Sequence, residues 1–535
     1  MADLLRLDKL TLSFGDAPPV LEELSLSLSP GERLALLGES GSGKSLTALA
    51  ILRLLPEDCK ITGSILFEQG NIDIARLPER QIRLIRGKRI GLIFQEPLTA
   101  LNPTLSCGYQ LTEAIQQYLG LSLQLAQELA KSWLLKVQLP DTERIMKAYP
   151  HELSGGQRQR LLIAMAMSAG PDLLIADEPT TALDMVTEAG VLRLLQQLCK
   201  EEGMALLFIS HDLAAARYVA DSAIVLRAGK VVERGDLQQL IDQPDSEYTS
   251  QLIAHNARLH LGRRLADPMK VSEMPAESAA LKAQDVSLSY SLNKDWLGKT
   301  QLWLEALNKV SLQLYPGQLY ALVGESGCGK SSLARCLVGL QTPSSGEIHI
   351  LTAAAAYQQR QLGQIPLVFQ DPYSSLTPDR RVGVMIAEVV RLHQPTVSKS
   401  EARALAEDLL QKVDLSPQEY FNRLAPELSG GQRQRIAIAR ALATRSKVLI
   451  CDEVTSALDA PLQHKLMDLL HRLVREEGLA LLYITHDLAL AMEWADKVGI
   501  MHRAQIVEEL AAHSLFKQGK HPQTRKLLEA LRLTD

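Results

Sequence analysis

Aromatic side chains are scarce in this 535-residue chain, where Phe, Trp and Tyr together make up 4%. So few flat rings leave little for single-stranded bases to stack on. Positive charge is not in excess either. Lys and Arg number 57 against 62 Asp and Glu, a net charge of −5, so there is no bulk electrostatic case for nucleic acid. Long apolar runs are missing as well. The longest is seven residues, Leu161 to Met167, whereas a spanning helix needs about twenty. The N-terminal MADLLRLDKLTLSF is broken by Asp3, Arg6, Asp8 and Lys9, where a signal peptide needs a continuous apolar stretch. The expected location is therefore cytoplasmic. Six cysteines (Cys59, Cys107, Cys199, Cys328, Cys336 and Cys451) form no CxxC pair. That pattern argues against a zinc site or a disulfide framework and suits reduced thiols, buried or incidental.

What the chain does have is 46% hydrophobic residues, enough for real cores, and enough length for three or four units at roughly 150 residues each. It also has an internal repeat. GESGSGKS at 38 to 45 returns as GESGCGKS at 324 to 331, and LSGGQRQR at 153 to 160 returns at 428 to 435. Gln95 and Gln370, Glu178 and Glu453, and His211 and His486 all stand 275 residues apart, while Lys44 and Lys330 stand 286 apart. The second copy is thus 11 residues shorter between its first motif and Gln370, which a surface-loop deletion explains at little cost. The repeat predicts a first domain over 1–255, a short tether over 256–280 and a second domain over 281–535. Each half contributes two lobes, which makes four.

Within each half, RLALLG or LYALVG leads into a glycine-rich turn and a helix. Later come the apolar segments 172–177 with 205–210, and 447–452 with 480–485. Short apolar runs alternating with helices predict parallel strands covered on both faces, an α/β nucleotide-binding pattern. The polar intervals 99–150 and 374–426 predict mostly helical insertions, with apolar residues at helical spacing in QLAQELAKSWLLKV and EARALAEDLLQKV.

A GxxxxGK[ST] segment between a strand and a helix is a phosphate loop by context as well as by letters. Gly41 and Gly43 let backbone N–H groups turn around phosphate oxygens, Lys44 reaches the terminal phosphates, and Ser45 offers a hydroxyl to magnesium. Gly327, Gly329, Lys330 and Ser331 repeat these roles. Each half then carries a strand ending in two carboxylates, Asp177 with Glu178 and Asp452 with Glu453. Strand alternation is expected to aim one at the metal and the next at the attacking water. LSGGQ supplies a second phosphate-binding helix start.

In this order, twice over, P-loop, glutamine, LSGGQ, LLIADE or VLICDE, ALD at 182 to 184 or 457 to 459, and histidine resemble the ATP-binding cassette (ABC) ATPase family. The resemblance covers nearly the whole chain. It implies two tandem ABC domains, each a P-loop RecA-like α/β core with an antiparallel β-subdomain and a helical subdomain. It also implies ATP and Mg2+ as ligands, held between the P-loop of one half and the LSGGQ of the other. One site then comprises Lys44, Ser45, Gln95, Asp177, Glu178 and His211, closed by Ser429, Gly430, Gly431 and Gln432. The other comprises Lys330, Ser331, Gln370, Asp452, Glu453 and His486, closed by Ser154, Gly155, Gly156 and Gln157.

By the same resemblance, ATP binding extends to Gly38, Ser40, Gly324 and Ser326. Ser45, Gln95 and Asp177, and likewise Ser331, Gln370 and Asp452, hold magnesium. Glu178, His211, Glu453 and His486 are catalytic, and Asp184 and Asp459 link the two sites. Phe14 and Tyr290 match the aromatic that stacks on adenine, with a core aromatic as the rival reading. His151, whose counterpart is Pro426, is expected to be local structure, and Cys328, inside the second P-loop, an oxidation-sensitive spot. His502, His513 and His521 are expected at the surface rather than on a metal.

FQEPLTALNP at 94 to 103, FQDPYSSLTP at 369 to 378 and HPQTRKLLEALR at 521 to 532 resemble the ATPases of dipeptide, oligopeptide and nickel importers. QPDSEYTSQLIA at 243 to 254 is a degraded version of that tail. Two fused cassettes of this length most resemble the ATPase of importers for microcin C and related peptides. Two membrane permeases, a periplasmic or lipid-anchored binding protein and a peripheral seat on the cytoplasmic face of the inner membrane are implied, with one chain per transporter and no nucleic acid. No Cys follows Cys451 and none lies between Cys199 and Cys328, so the iron–sulfur cluster of many such proteins is expected to be absent. Val454 replaces the proline seen as Pro179, yet Glu453 remains, so two competent sites are expected. A soluble twin-cassette ATPase acting on ribosomes or DNA is the alternative, disfavoured by the short tether and the lack of CxxC insertions.

Overall fold

The structure, a computed structural model, describes residues 3–533 except 96, 182, 257–278, 295–299, 352–356, 360–362, 372–374 and 457. Most of the expected tether, and one alanine of each ALD motif, lie outside the described residues. The chain forms two compact units that divide near residue 260.

Each unit has a six-stranded sheet. In the first its order is Lys230–Asp236, Ser222–Arg227, Arg33–Gly38, Ala205–Ser210, Leu173–Asp177 and Ile90–Ile93. All neighbours are parallel except the first pair. The second unit repeats this with Gln505–Ala511, Lys497–His502, Leu319–Val323, Ala480–Thr485, Val448–Asp452 and Leu367–Val368. The central strands read as unbroken apolar runs because both faces are covered. Side chains alternate across the sheet. Leu34, Leu36, Leu173 and Ile175 join one core, and Ala35, Leu37, Leu174 and Ala176 join the other.

The first of these cores faces a four-stranded antiparallel sheet ordered Leu21–Leu28, Leu5–Phe14, Cys59–Phe67 and Ile72–Asp73. Its counterpart in the second unit is Thr300–Leu314, Leu281–Lys294, Ser345–Leu351 and Tyr357–Gln359. The other core takes in the helical insertion, whose helices Cys107–Leu119, Leu123–Lys136 and Thr142–Lys147 answer to Val382–His393, Lys399–Lys412 and Pro417–Tyr420. Ala126, Ala130, Trp133 and Leu134 are the buried stripe of the helix Leu123–Lys136, at the spacing that predicted it. Burying Leu134 contributes about 1.5–3 kcal/mol.

The 11-residue difference between the copies is more than a trimmed surface loop. The first unit has a turn at Ile74–Arg76 and a helix at Glu79–Ile85 before the strand Ile90–Ile93, with Ile74, Ile82 and Ile85 buried in the core. In the second unit residues 360–366 separate Tyr357–Gln359 from Leu367–Val368, and among the described residues of that stretch Ile365 is buried. Motif spacing does not reveal the helix Glu79–Ile85 that packs into the first unit.

Candidate active site

The strand Arg33–Gly38 ends buried, the loop turns outward through exposed Ser40 and Gly41, and the helix Lys44–Ile51 begins. Gly43 caps that helix at φ 98°, and a Cβ there would stand 3.2 Å from both the Val20 carbonyl oxygen and Leu21 Cδ1. At Gly329, φ 114°, a Cβ would meet the Ala306 oxygen at 2.4 Å. Only glycine fits these turns. Lys44 is buried, its Nζ donating to the carbonyls of Gly38 (2.8 Å) and Glu39 (2.9 Å). Lys330 donates likewise to Gly324 (2.7 Å) and Glu325 (3.0 Å). Ser326 and Gly327 are exposed at the corresponding crest.

Ser45 Oγ donates to Asp177 Oδ1 at 3.0 Å. Burial pushes Asp177 up to about 6, against the pull of Ser45. Asp452 is raised by burial too, with Ser331 hydrogen-bonded to it. One of its buried oxygens, Oδ1, has no hydrogen-bond partner. A hydroxyl beside a dry carboxylate whose oxygen lacks a donor is a hard-cation donor set.

Glu178 is the hub of the first cluster. Gln95 Nε2 and Thr181 Oγ1 each donate to its Oε2 at 2.9 Å, and His211 Nδ1 lies 3.1 Å from Oε1. Burial alone would raise this carboxyl, but the hydrogen bond and charge of His211, with Thr181 and Lys44, bring it down to about 2. His211 rises in return, the lowering by burial being outweighed by Glu178. Strand alternation does not aim the pair. The strand ends at Asp177, and Glu178 turns away on a left-handed backbone (φ 45°) while its N–H donates to the Ile209 carbonyl. Glu453 does the same at φ 49°.

The second cluster is looser. His486 Nδ1 is 3.6 Å from Glu453 Oε2, and Gln370 Nε2 donates to Ser456 Oγ at 3.3 Å instead of to the carboxylate. Ser456 turns its own hydroxyl to the Glu453 carbonyl. Glu453 is still lowered and His486 raised, in each case against burial and through the other's hydrogen bond and charge.

LSGGQ starts a helix in both units. Ser154 and Gln157 form a reciprocal capping box on Gly155–Met167, and Ser429 and Gln432 repeat it on Gly430–Leu442. Gly156 lies against Thr187. Thr187 donates from N (3.1 Å) and Oγ1 (3.0 Å) to Asp184, the N-cap of Met185–Glu202. Asp459 caps Ala460–Glu477. The side chains of Ser154, Gln157, Asp184 and Asp459 thus bond at the starts of the helices that they introduce. Gln432 also reaches Tyr420.

Phe14 is half-buried at its strand end, and Tyr290, half-buried against the core, donates to Gln341 Oε1 at 3.2 Å. His151 is exposed and stacks on Tyr149. Cys328 departs from expectation. Its thiol is buried in the core, and burial raises its pKa, so it is shielded rather than oxidation-prone. His513 is exposed, but His502 and His521 are half-buried, and His521 Nδ1 accepts from the Gln523 N–H. Among the described residues no metal-binding cluster of His, Cys, Asp or Glu is found, and no helix is long and apolar enough to cross a membrane. Thr181 went unnoticed in the sequence, although a hydroxyl three residues after Glu178, repeated as Ser456, was its signal.

The ABC transporter family profile matches residues 21–181 and 307–456. The glutathione import ATP-binding protein GsiA of Salmonella typhimurium is 38% identical over 563 aligned positions, covering 100% of this chain and 90% of the relative. GsiA of Shigella dysenteriae is 40% identical over 538, covering 96% and 86%. A solved dimeric structure of the cassette MJ0796, bound to ADP and Pi, is 26% identical over 43% of this chain and 98% of its own, with a TM-score of 0.38.

Proposed function

The chain belongs to the ABC transporter family, and from that premise we propose that it is the ATP-hydrolysing subunit of an importer for peptides or peptide-like compounds. The observation that carries this reading is the hydrogen-bonded set of Gln95, Glu178, Thr181 and His211 beside a P-loop lysine, answered in the second unit by Gln370, Glu453, Ser456 and His486. An ionised carboxylate within reach of a switch histidine polarises a water for attack on a γ-phosphate. Lys44 and Lys330 bind phosphate. Ser45 with Asp177, and Ser331 with Asp452, would hold Mg2+, which neutralises phosphate charge when bound. Each ATP is closed by LSGGQ of the other cassette: Ser429, Gly430 and Gly431 over the first site, and Ser154, Gly155 and Gly156 over the second. Asp184 and Asp459 communicate between them, and Phe14 and Tyr290 meet adenine.

Work comes from the different affinity of ATP for closed and open arrangements, which biases the permeases between conformations. The partners are two integral-membrane permeases and, through them, a substrate-binding protein, with the chain seated on the cytoplasmic face of the inner membrane. The relatives named for glutathione import support a small peptide-like cargo. They do not favour a ribosome- or DNA-acting ATPase. The test is to express the chain with its permeases in cells and follow uptake of labelled glutathione and short peptides, alongside purification of its complexes. ATP-dependent uptake that ends with Lys44→Ala, and co-isolation with two multi-span proteins, are expected. Co-isolation with ribosomes and no uptake would overturn the reading.

A further inference from the structure

We infer that the segment closing each unit is a positioning element of its ATP site, holding the entrance of the P-loop. This rests on the ATPase reading above. In the first unit the helix Glu247–Ala254 is pinned at its start, where Glu233 accepts from the N–H groups of Asp245 (2.8 Å) and Ser246 (3.1 Å). From it Tyr248, buried beneath the Arg227 guanidinium, accepts a hydrogen bond from the Glu39 N–H at 3.2 Å. The carbonyl of that same Glu39 receives the Lys44 ammonium. Two turns on, buried Asn256 donates from Nδ2 to Asp212 Oδ1 at 3.1 Å. Asp212 follows His211 and caps the helix Leu213–Val219 through the Ala214 N–H at 2.8 Å. One short segment therefore grips both the loop that carries the phosphate-binding lysine and the loop that carries the switch histidine.

The second unit makes the same grip on the P-loop with different chemistry. Glu508 accepts from the N–H groups of Lys520 and His521 and from the Thr524 hydroxyl, pinning the helix Pro522–Leu533. Lys526 then pairs with Glu325 at 2.9 Å, and Glu325, counterpart of Glu39, also receives Lys330 on its carbonyl. Filling a core needs only apolar surface. Here polar groups reach the same loop residue in both copies, by a hydroxyl in one and an ion pair in the other.

Tyr248→Phe keeps the ring under Arg227 and removes the hydroxyl that accepts from Glu39. Lys526→Gln removes the ion pair. The measurement is calorimetric titration of the full chain with ATP in EDTA, where no hydrolysis occurs, paired with thermal unfolding without nucleotide. Tyr248→Phe should weaken one of two binding events about threefold to tenfold, the worth of one hydrogen bond, and leave the other alone. Lys526→Gln should weaken the other about twofold, and 0.5 M salt should bring the unsubstituted chain to that level at this event only, because an exposed ion pair is weak and screened. Unfolding temperatures should stay put. Unchanged affinities in both variants would overturn the inference, and so would a fall in unfolding temperature without a site-selective change in affinity. An unsubstituted chain that binds no ATP would sink the ATPase reading itself, and the inference with it.

Discussion

At Glu178 and Glu453 a costly backbone meets a charged side chain. A left-handed φ on a non-glycine residue costs about 1–3 kcal/mol and persists where the surroundings over-determine it. Here it turns the carboxylate off the strand end and toward His211 in one unit and His486 in the other. Both units carry the arrangement, so Glu178→Gln and Glu453→Gln should each lower steady-state ATPase about a hundredfold, the low side of general-base effects of about 10²–10⁴, with ATP affinity retained. Intact turnover in one of the two single variants would refute two competent sites. The His211–Glu178 pair also sets a pH window. The carboxyl, lowered from 4.5 to about 2, stabilises the fold above about pH 4.5, and this is lost as pH falls through 2. The imidazole, raised above 6.5, stabilises below that pH, and this is lost as pH rises through its folded value. Both contributions are present between about pH 4.5 and 6.5. The loss of unfolding temperature in His211→Gln should therefore be greatest near pH 5.5 and smaller at pH 8, and a flat difference would mean the ring is uncharged.

The phosphate-loop helix shows what an element demands of single positions, and what motif reading catches. Gly43→Ala puts a Cβ 3.2 Å from the Val20 oxygen at a positive φ, whereas Gly329→Ala puts one 2.4 Å from the Ala306 oxygen. Both should destabilise their units by about 1–3 kcal/mol, Gly329→Ala the more, and thermal unfolding that ranks them the other way would contradict this packing. Such glycines are legible in a sequence because the turn leaves no alternative. So were the central strands, whose burial on both faces demands continuous apolar residues, and the capping boxes of LSGGQ. The φ of Glu178 was not legible, since a strand-end carboxylate pair reads the same whether or not the backbone turns left. Nor was the helix Glu79–Ile85, because 11 extra residues carry no signature of what they fold into. Tyr248, Asn256 and Lys526 were invisible for another reason: their partners lie far away in sequence, and only the fold brings the end of a unit back to its P-loop.

At the scale of the whole chain the duplication has a kinetic consequence. Each proposed site needs a P-loop from one cassette and an LSGGQ from the other, and one chain supplies both of each. Joining two modules by a tether gives an effective concentration on the order of mM, well above the roughly micromolar range of an enzyme assay. Separate cassettes would have to find each other by diffusion, and their turnover per molecule would fall on dilution. Fused ones have no such step. Specific ATPase activity of the purified chain should therefore stay constant from about 10 μM down to about 10 nM. A specific activity that drops in proportion to protein concentration would show that a second chain completes the sites, and the assignment of Ser154, Gly155, Gly156, Ser429, Gly430 and Gly431 within one molecule would fall.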